Sequence, residues 1–213
     1  MDTEKRILEA AREVLLERGV DGARMEEIAR RAGVNKALLH YYFGSKQDLC
    51  LRVLREALRE LLQRAFEASD PNRPFRQALQ HFVSEYVGFV AQNHQLTQLV
   101  LWELRRRGTD LARTFRDCLE QAGWTENPLV ALFRRAMERG EIRPVDPVQA
   151  ALSLAATCIF PFLARDMAPI TLGAGDFLDP EFLEKRKQHI VELFCEGLGA
   201  GPRCQARESQ DLG

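Results

Sequence analysis

The chain has 213 residues, 46% hydrophobic and 29% charged, with 30 Lys+Arg against 31 Asp+Glu for a formal net charge of -1. Such a composition can build one or two apolar cores, and it excludes an intrinsically disordered chain, a collagen-like repeat and a disulfide-stapled miniprotein. The neutral total carries no sign of a nucleic-acid partner, so any such partner has to be argued from local sequence. The five cysteines (Cys50, Cys118, Cys158, Cys195 and Cys204) are odd in number and never in CxxC spacing, which predicts free thiols in a reducing cytosol. No metal site and no cofactor are expected. The N-terminal MDTEKRILEA mixes both charge signs without an apolar run, so no signal or transit peptide is expected and the location is read as cytoplasmic.

Apolar residues recur at helical spacing almost throughout, and no stretch alternates with period two for long enough to make a sheet strand. This predicts an all-α fold. The expected helices run over 3–18, 25–32, 36–42, 46–68, 75–93, 95–107, 110–122, 128–139, 147–164 and 180–198. Asp70, Asn127, Asp146 and Asp179 each precede a proline, so each offers an N-cap oxygen before a residue suited to the first helical position. Gly19, Gly108 and Gly140 supply left-handed stops, and Arg105, Arg106 and Arg107 suit the dipole of the last turn before Gly108. The uncharged stretch Pro147 to Ala164 contains Gln149, Ser153, Thr157, Pro161 and many alanines, and reads as a buried packing helix rather than a membrane span. Residues 168–178, rich in glycine and small side chains, read as a loop, and 199–213 as a disordered tail.

The first helix buries Ile7, Ala11, Val14 and Leu15 along one stripe. The run Met25 to Phe43, MEEIARRAGVNKALLHYYF, is more specific. Ala29 allows two helices to approach closely, Gly33 four residues later permits the positive φ of a tight turn, and a second short helix starts after Asn35. This is the helix-turn-helix pattern, whose second helix enters a DNA major groove. At about 100° per residue, with Leu39 and Phe43 inward, Ala37 and Tyr41 face outward and Leu38, His40 and Tyr42 lie on the flanks. Asn35 is placed to cap this helix, and its N-terminus with Lys36 makes an anion site suited to phosphate. Ser45 is placed to cap the next helix. Lys46 begins that helix against the dipole, which a nearby phosphate would explain. From Arg24 to Lys46 five cations face two carboxylates, a net +3 that leaves -4 for the rest of the chain, so the neutral total conceals a basic head on an acidic body.

The run from Thr3 to about Leu54, above all AGVNKALLHYYFGSKQDL from Ala32 to Leu49, resembles the N-terminal DNA-binding domain of the tetracycline-repressor family of regulators. The resemblance implies that the helix 36–42 reads the major groove and that Tyr42 and Lys46 contact phosphates. Met25 stands where that family usually has Thr or Ser as cap and phosphate contact, which passes the contact to Arg24. Ala37 replaces the common glycine, and Leu38 and His40 differ from the frequent Thr and Tyr, so base preference does not carry over. The expected division is a DNA-binding domain over 1–48, a linking helix over 46–68 and a helical regulatory domain over 49–198.

Beyond residue 70 no catalytic constellation is present: there is no HExxH, GxSxG or glycine-rich phosphate loop, so no enzyme is expected. The resemblance implies instead a helical cavity for a small effector and dimerisation through the last two long helices. Tyr86, Phe89, Trp102, Phe115, Phe133 and Phe162 are candidates for aromatic lining, with Glu103 and Thr157 as polar groups. Pro161 should kink its helix and open space beside Thr157 and Cys158. Leu152, Ala156 and Ile159, with Phe182, Ile190 and Phe194, are candidates for a four-helix dimer interface. The function read from the sequence is a ligand-responsive repressor that binds a palindromic operator in double-stranded DNA as a homodimer and is released by a lipophilic or aromatic effector, with no membrane partner. Two alternatives stay open, a DNA-bound regulator holding a protein partner and a thiol-based redox sensor using Cys50.

Overall fold

The computed structural model describes residues 3–66, 73–106, 109–165, 167–173 and 175–199. They form eleven helices: α1 Thr3–Gly22, α2 Met25–Ala32, α3 Lys36–Phe43, α4 Lys46–Phe66, α5 Phe75–Gln92, α6 Leu96–Arg106, α7 Thr109–Gln121, α8 Pro128–Glu138, α9 Pro147–Leu163, α10 Ala168–Leu172 and α11 Pro180–Leu198. Among these residues the only pairing of extended backbone is an isolated bridge between Ile142 and Gly199. None of the helices is long and apolar enough to cross a membrane.

The caps follow the local chemistry. Asn127 accepts from the backbone N–H of Leu129, Asp146 from that of Val148 and Asp179 from that of Glu181, each just ahead of its proline. Asp70-Pro71, Arg107 and Gly108 lie outside the described residues. The backbone departs from helical geometry at Gly19 (φ 67°), so the helix breaks where glycine was expected to stop it, and a further turn resumes as far as Gly22. One expectation fails: Ala168–Leu172, expected as loop, is a short helix with proline in its first turn and Gly173 (φ 64°) as its stop. Five residues are too few to show an apolar stripe, so periodicity could not reveal it. Of the tail, only Gly199 is described.

Two cores meet along α4. One joins Ile7, Val14 and Leu15 of α1, Ile28 of α2, Leu39 of α3 and Leu49 of α4, and reaches Phe89, Leu96 and Leu99 beyond. The other gathers Leu79 and Phe82 of α5, Phe133 of α8, Leu154 of α9, and Ile190 and Phe194 of α11 around the far end of α4. Burying each such aliphatic or aromatic side chain is worth about 1.5–3 kcal/mol, so α4 is anchored at both ends.

Pro161 is buried in the last turn of α9, and neither it, Thr157 nor Cys158 lines either of the two cavities described below. Pro161 cannot donate to the carbonyl of Thr157, and Arg186 of α11 takes that place, its Nη2 donating to Thr157 O at 2.8 Å. The Thr157 hydroxyl turns back onto Ser153 O at 2.6 Å, and Cys158 is fully buried.

Candidate nucleic-acid interface and ligand cavity

The turn between α2 and α3 is built as the sequence requires. Gly33 has φ 65°, the Val34 N–H donates to Ala29 O at 3.0 Å, and Arg6 of α1 donates through Nη2 to Ala32 O at 3.1 Å. Asn35 Oδ1 accepts from Leu38 N at 2.7 Å, capping α3 and fixing its rotation. Leu39 and Phe43 point inward, while Tyr41 is 82% and Tyr42 42% exposed, and Ala37 and His40 are exposed beside them. Leu38 is half-buried. Tyr41 and Tyr42 meet edge to face with centroids 5.6 Å apart. Ser45 Oγ accepts from Asp48 N at 3.1 Å, so Lys46 opens a capped helix. The outward surface of α3 is thus a rigid aromatic face flanked by two helix N-termini, suited to base edges and phosphates.

The electrostatics of this head are less uniform than its net +3. Lys36 forms an ion pair with Glu26, whose carboxyl that hydrogen bond holds below its usual range. Arg31 is engaged by Glu17 at 2.6 Å and lies 3.5 Å from Glu27. Arg24, Arg30 and Lys46 form no ion pair among the described residues, so they hold the uncompensated charge. Arg24 is the exposed N-cap of α2, with extended backbone and no side-chain capping bond, and Met25 is buried behind it.

In the other half, α4, α5, α7, α8 and α9 enclose a cavity of about 310 Å³. Leu58, Leu61 and Leu62 of α4 form one wall, Phe82 and Tyr86 of α5 another, and Phe115, Val130 and Ala155 contribute from α7, α8 and α9. The lining is almost wholly apolar; Tyr86 brings a hydroxyl whose pKa burial raises. Val148 and Leu152, 56% and 63% exposed, stand at its mouth. Beside it lies a second cavity of about 350 Å³, in which Phe66, Phe82 and Trp124 stand among arginines.

The family model described as bacterial regulatory proteins of the tetR family matches residues 7–53, and that of the tetracyclin repressor-like C-terminal domain matches residues 76–194. The chain belongs to the tetracycline-repressor family. It is a DNA-binding transcription regulator, and not an enzyme. It is 29% identical over 175 residues to an HTH-type transcriptional repressor of Streptomyces coelicolor, covering 82% of this chain and 85% of that one. It is 26% identical over 137 residues to the fatty acid metabolism regulator protein of Bacillus subtilis, covering 64% and 69%. In fold it is similar to the crystal structure of the B. subtilis transcriptional regulator FadR in complex with stearoyl-CoA, with a TM-score of 0.69, 21% identity, and 92% and 99% of the two chains covered.

Of the expected effector residues whose side chains are described, Tyr86 and Phe115 line the apolar cavity. Phe133 is fully buried between Phe75 and Phe194, and Phe89 lies under the Arg64 guanidinium in the core nearer the head. Cys158 and Phe162 close the core beneath α9, and Glu103 is buried on α6. Thr157 spends its polar groups on Ser153 and Arg186. The side chain of Trp102 lies outside the described ones. The leucines of α4 were missed because a cavity wall and a core face share the same helical spacing. Among the expected interface residues, Ile190 and Phe194 are buried in the protomer's own core, and Phe182, half-buried, stacks on Phe177 at 4.6 Å. Leu152 and Ala156 stay exposed on α9, with Ile159 half-buried. Cys50 is 3% exposed and burial pushes its thiol up to about 11, the opposite of what a redox-sensing thiolate needs.

Proposed function

We propose that this regulator is a cytoplasmic, homodimeric repressor that holds a palindromic operator through α3 and releases it when a long apolar effector fills the cavity between α4 and α9. The observation that carries this is the position of α4. Leu49 and Val53 of that helix belong to the core of the reading head, and Leu58, Leu61 and Leu62 wall the cavity. A ligand that wedges against the second set moves the first, and with it the head. The apolar lining supports an aliphatic effector, as does the resemblance to a fatty acid metabolism regulator and to a protein solved with stearoyl-CoA. Pairing is supported by apolar side chains left exposed on both helices, Ala156 and Phe160 on α9 and Leu193 on α11, and by the need for two recognition helices to hold a specific site. In α3, Tyr41, Ala37, Leu38 and His40 face the bases; Arg24, Asn35, Lys36, Tyr42 and Lys46 face the phosphates, Lys36 after leaving Glu26.

Gel-shift titrations test the DNA contacts. Lys46→Ala should weaken binding to every sequence and lower the slope of log K against log salt by about 1. Tyr41→Ala should change the ranking of operator variants instead. Unchanged affinity and unchanged ranking would overturn the assignment, and equal affinity for stearoyl-CoA with and without operator would overturn the release mechanism.

A further inference from the structure

We propose that the second cavity is a phosphate-binding vestibule, and that the effector is an amphiphile whose apolar tail lies in the first cavity and whose phosphorylated headgroup lies in the second. This rests on the apolar cavity being the effector site. The two cavities share Ala65, Phe66, Phe82 and Pro128, so they stand back to back across the Phe66–Phe82 pair. A molecule that turns the Phe66 ring aside would reach both. Trp124, edge-on to Phe66 at 5.4 Å, gives the vestibule an aromatic wall.

Four arginines from separate places line the vestibule: Arg73 ahead of α5, Arg134 and Arg135 on α8, and Arg139 at its C-cap; His81 also lines it, its Nε2 3.2 Å from Arg64 O. Among the described residues, Glu126 is the one carboxylate that lines it. Arg134 pairs with Glu126, and Arg139 with Glu141, which also accepts from the backbone N–H of Phe75 and so holds Arg139 in place. Arg139 also donates to the carbonyl of Arg73 at 3.2 Å. Arg135 donates its Nε to Ala131 O, and neither Arg135 nor Arg73 forms an ion pair among the described residues. Like charges gathered in a concavity repel one another unless an anion joins them, and planar guanidiniums match the oxygens of phosphate in pairs. A fatty carboxylate brings one negative charge to the two guanidiniums that have no ion pair among the described residues, whereas a phosphate monoester brings about 1.5–2 and three acceptor oxygens. A phosphorylated headgroup can thus engage a third, displacing Glu126 from Arg134.

Calorimetric titration of the full chain with stearate, lysophosphatidic acid and stearoyl-CoA tests this, in the wild type and in Arg73→Ala and Arg135→Ala. The expected result is that phosphorylated amphiphiles bind at least tenfold more tightly than stearate. Each substitution should cost them about tenfold and flatten their salt dependence, while stearate changes less than twofold. Lysophosphatidic acid matching stearoyl-CoA would assign the headgroup to a phospholipid; stearoyl-CoA binding more tightly would assign it to a nucleotide thioester. Stearate and stearoyl-CoA binding alike, with neither substitution felt, would overturn the vestibule and leave the apolar cavity standing. Failure of all three to bind the wild type would overturn both.

Discussion

Arg186 and Pro161 illustrate how one residue's missing donor fixes another residue's place. Proline removes the N–H that would reach Thr157 O, and a buried carbonyl without a partner costs free energy comparable to a lost hydrogen bond. Arg186 answers from α11, and in doing so ties that helix to α9. Arg186→Met should therefore destabilise the fold by about 1.5–3 kcal/mol, the usual worth of a hydrogen bond to a charged group. With Pro161→Ala also present, the restored backbone donor reclaims Thr157 O, and the same substitution should cost less than about 1 kcal/mol. Urea denaturation of the four variants measures both. Equal costs in the two backgrounds would show that the arginine serves some other purpose.

Between elements, a single guanidinium links the reading head to the regulatory helices. Arg12 of α1 donates to Glu60 of α4 at 2.9 Å and to Asn93 Oδ1, at the end of α5, at 2.8 Å. Asn93 is buried and donates in turn to Phe89 O, while Arg64 donates to Glu60 and lies over the Phe89 ring. Arg12→Ala removes one of the ties that set α1 against α4 and α5, leaving their shared core and the Arg52–Glu4 pair, so operator affinity should fall about fivefold, the measure of roughly 1 kcal/mol for a pair still partly open to solvent. Stearoyl-CoA binding without DNA should be unaltered. Loss of ligand affinity in that variant would mean the contact holds the cavity rather than the head.

The same network shows what a linear reading can and cannot recover. Asn35, Asn127, Asp146 and Asp179 could be assigned as caps because a cap joins residues two or three apart, and Gly33 because its φ is a local requirement. The inward setting of Leu39 and Phe43 followed from helical spacing alone. Partners set by the fold were out of reach. Lys36 meets Glu26 across a turn, Arg12 meets Asn93 across two helices, and Ile190 and Phe194 were assigned to a partner chain although α5 and α8 already cover them. A stripe at 3.6-residue spacing states that a helix has a covered face, and leaves open whether a core, a ligand or a second copy covers it.

At the scale of the whole molecule, the remaining apolar surface bears on how two heads act together. With Ile190 and Phe194 turned inward, α11 offers Leu193, 50% exposed, and α9 offers Phe160, 56% exposed, beside the small exposed Ser153 and Ala156. Small residues let two helices pack closely, and the flanking large ones supply the buried area. A charge placed there would be desolvated in a dimer and solvated in a monomer, so Leu193→Glu combined with Phe160→Glu should act on association rather than on the protomer's core. The double variant should sediment as a monomer and melt at a temperature independent of protein concentration, whereas the wild type's should rise with concentration. Its binding to a palindrome should fall to the level of a single half-site, because two recognition helices must sit about 34 Å apart to engage successive major grooves. Stearoyl-CoA should still bind, since neither residue lines either cavity. A variant that keeps the wild type's mass and its preference for the palindrome would place the interface elsewhere.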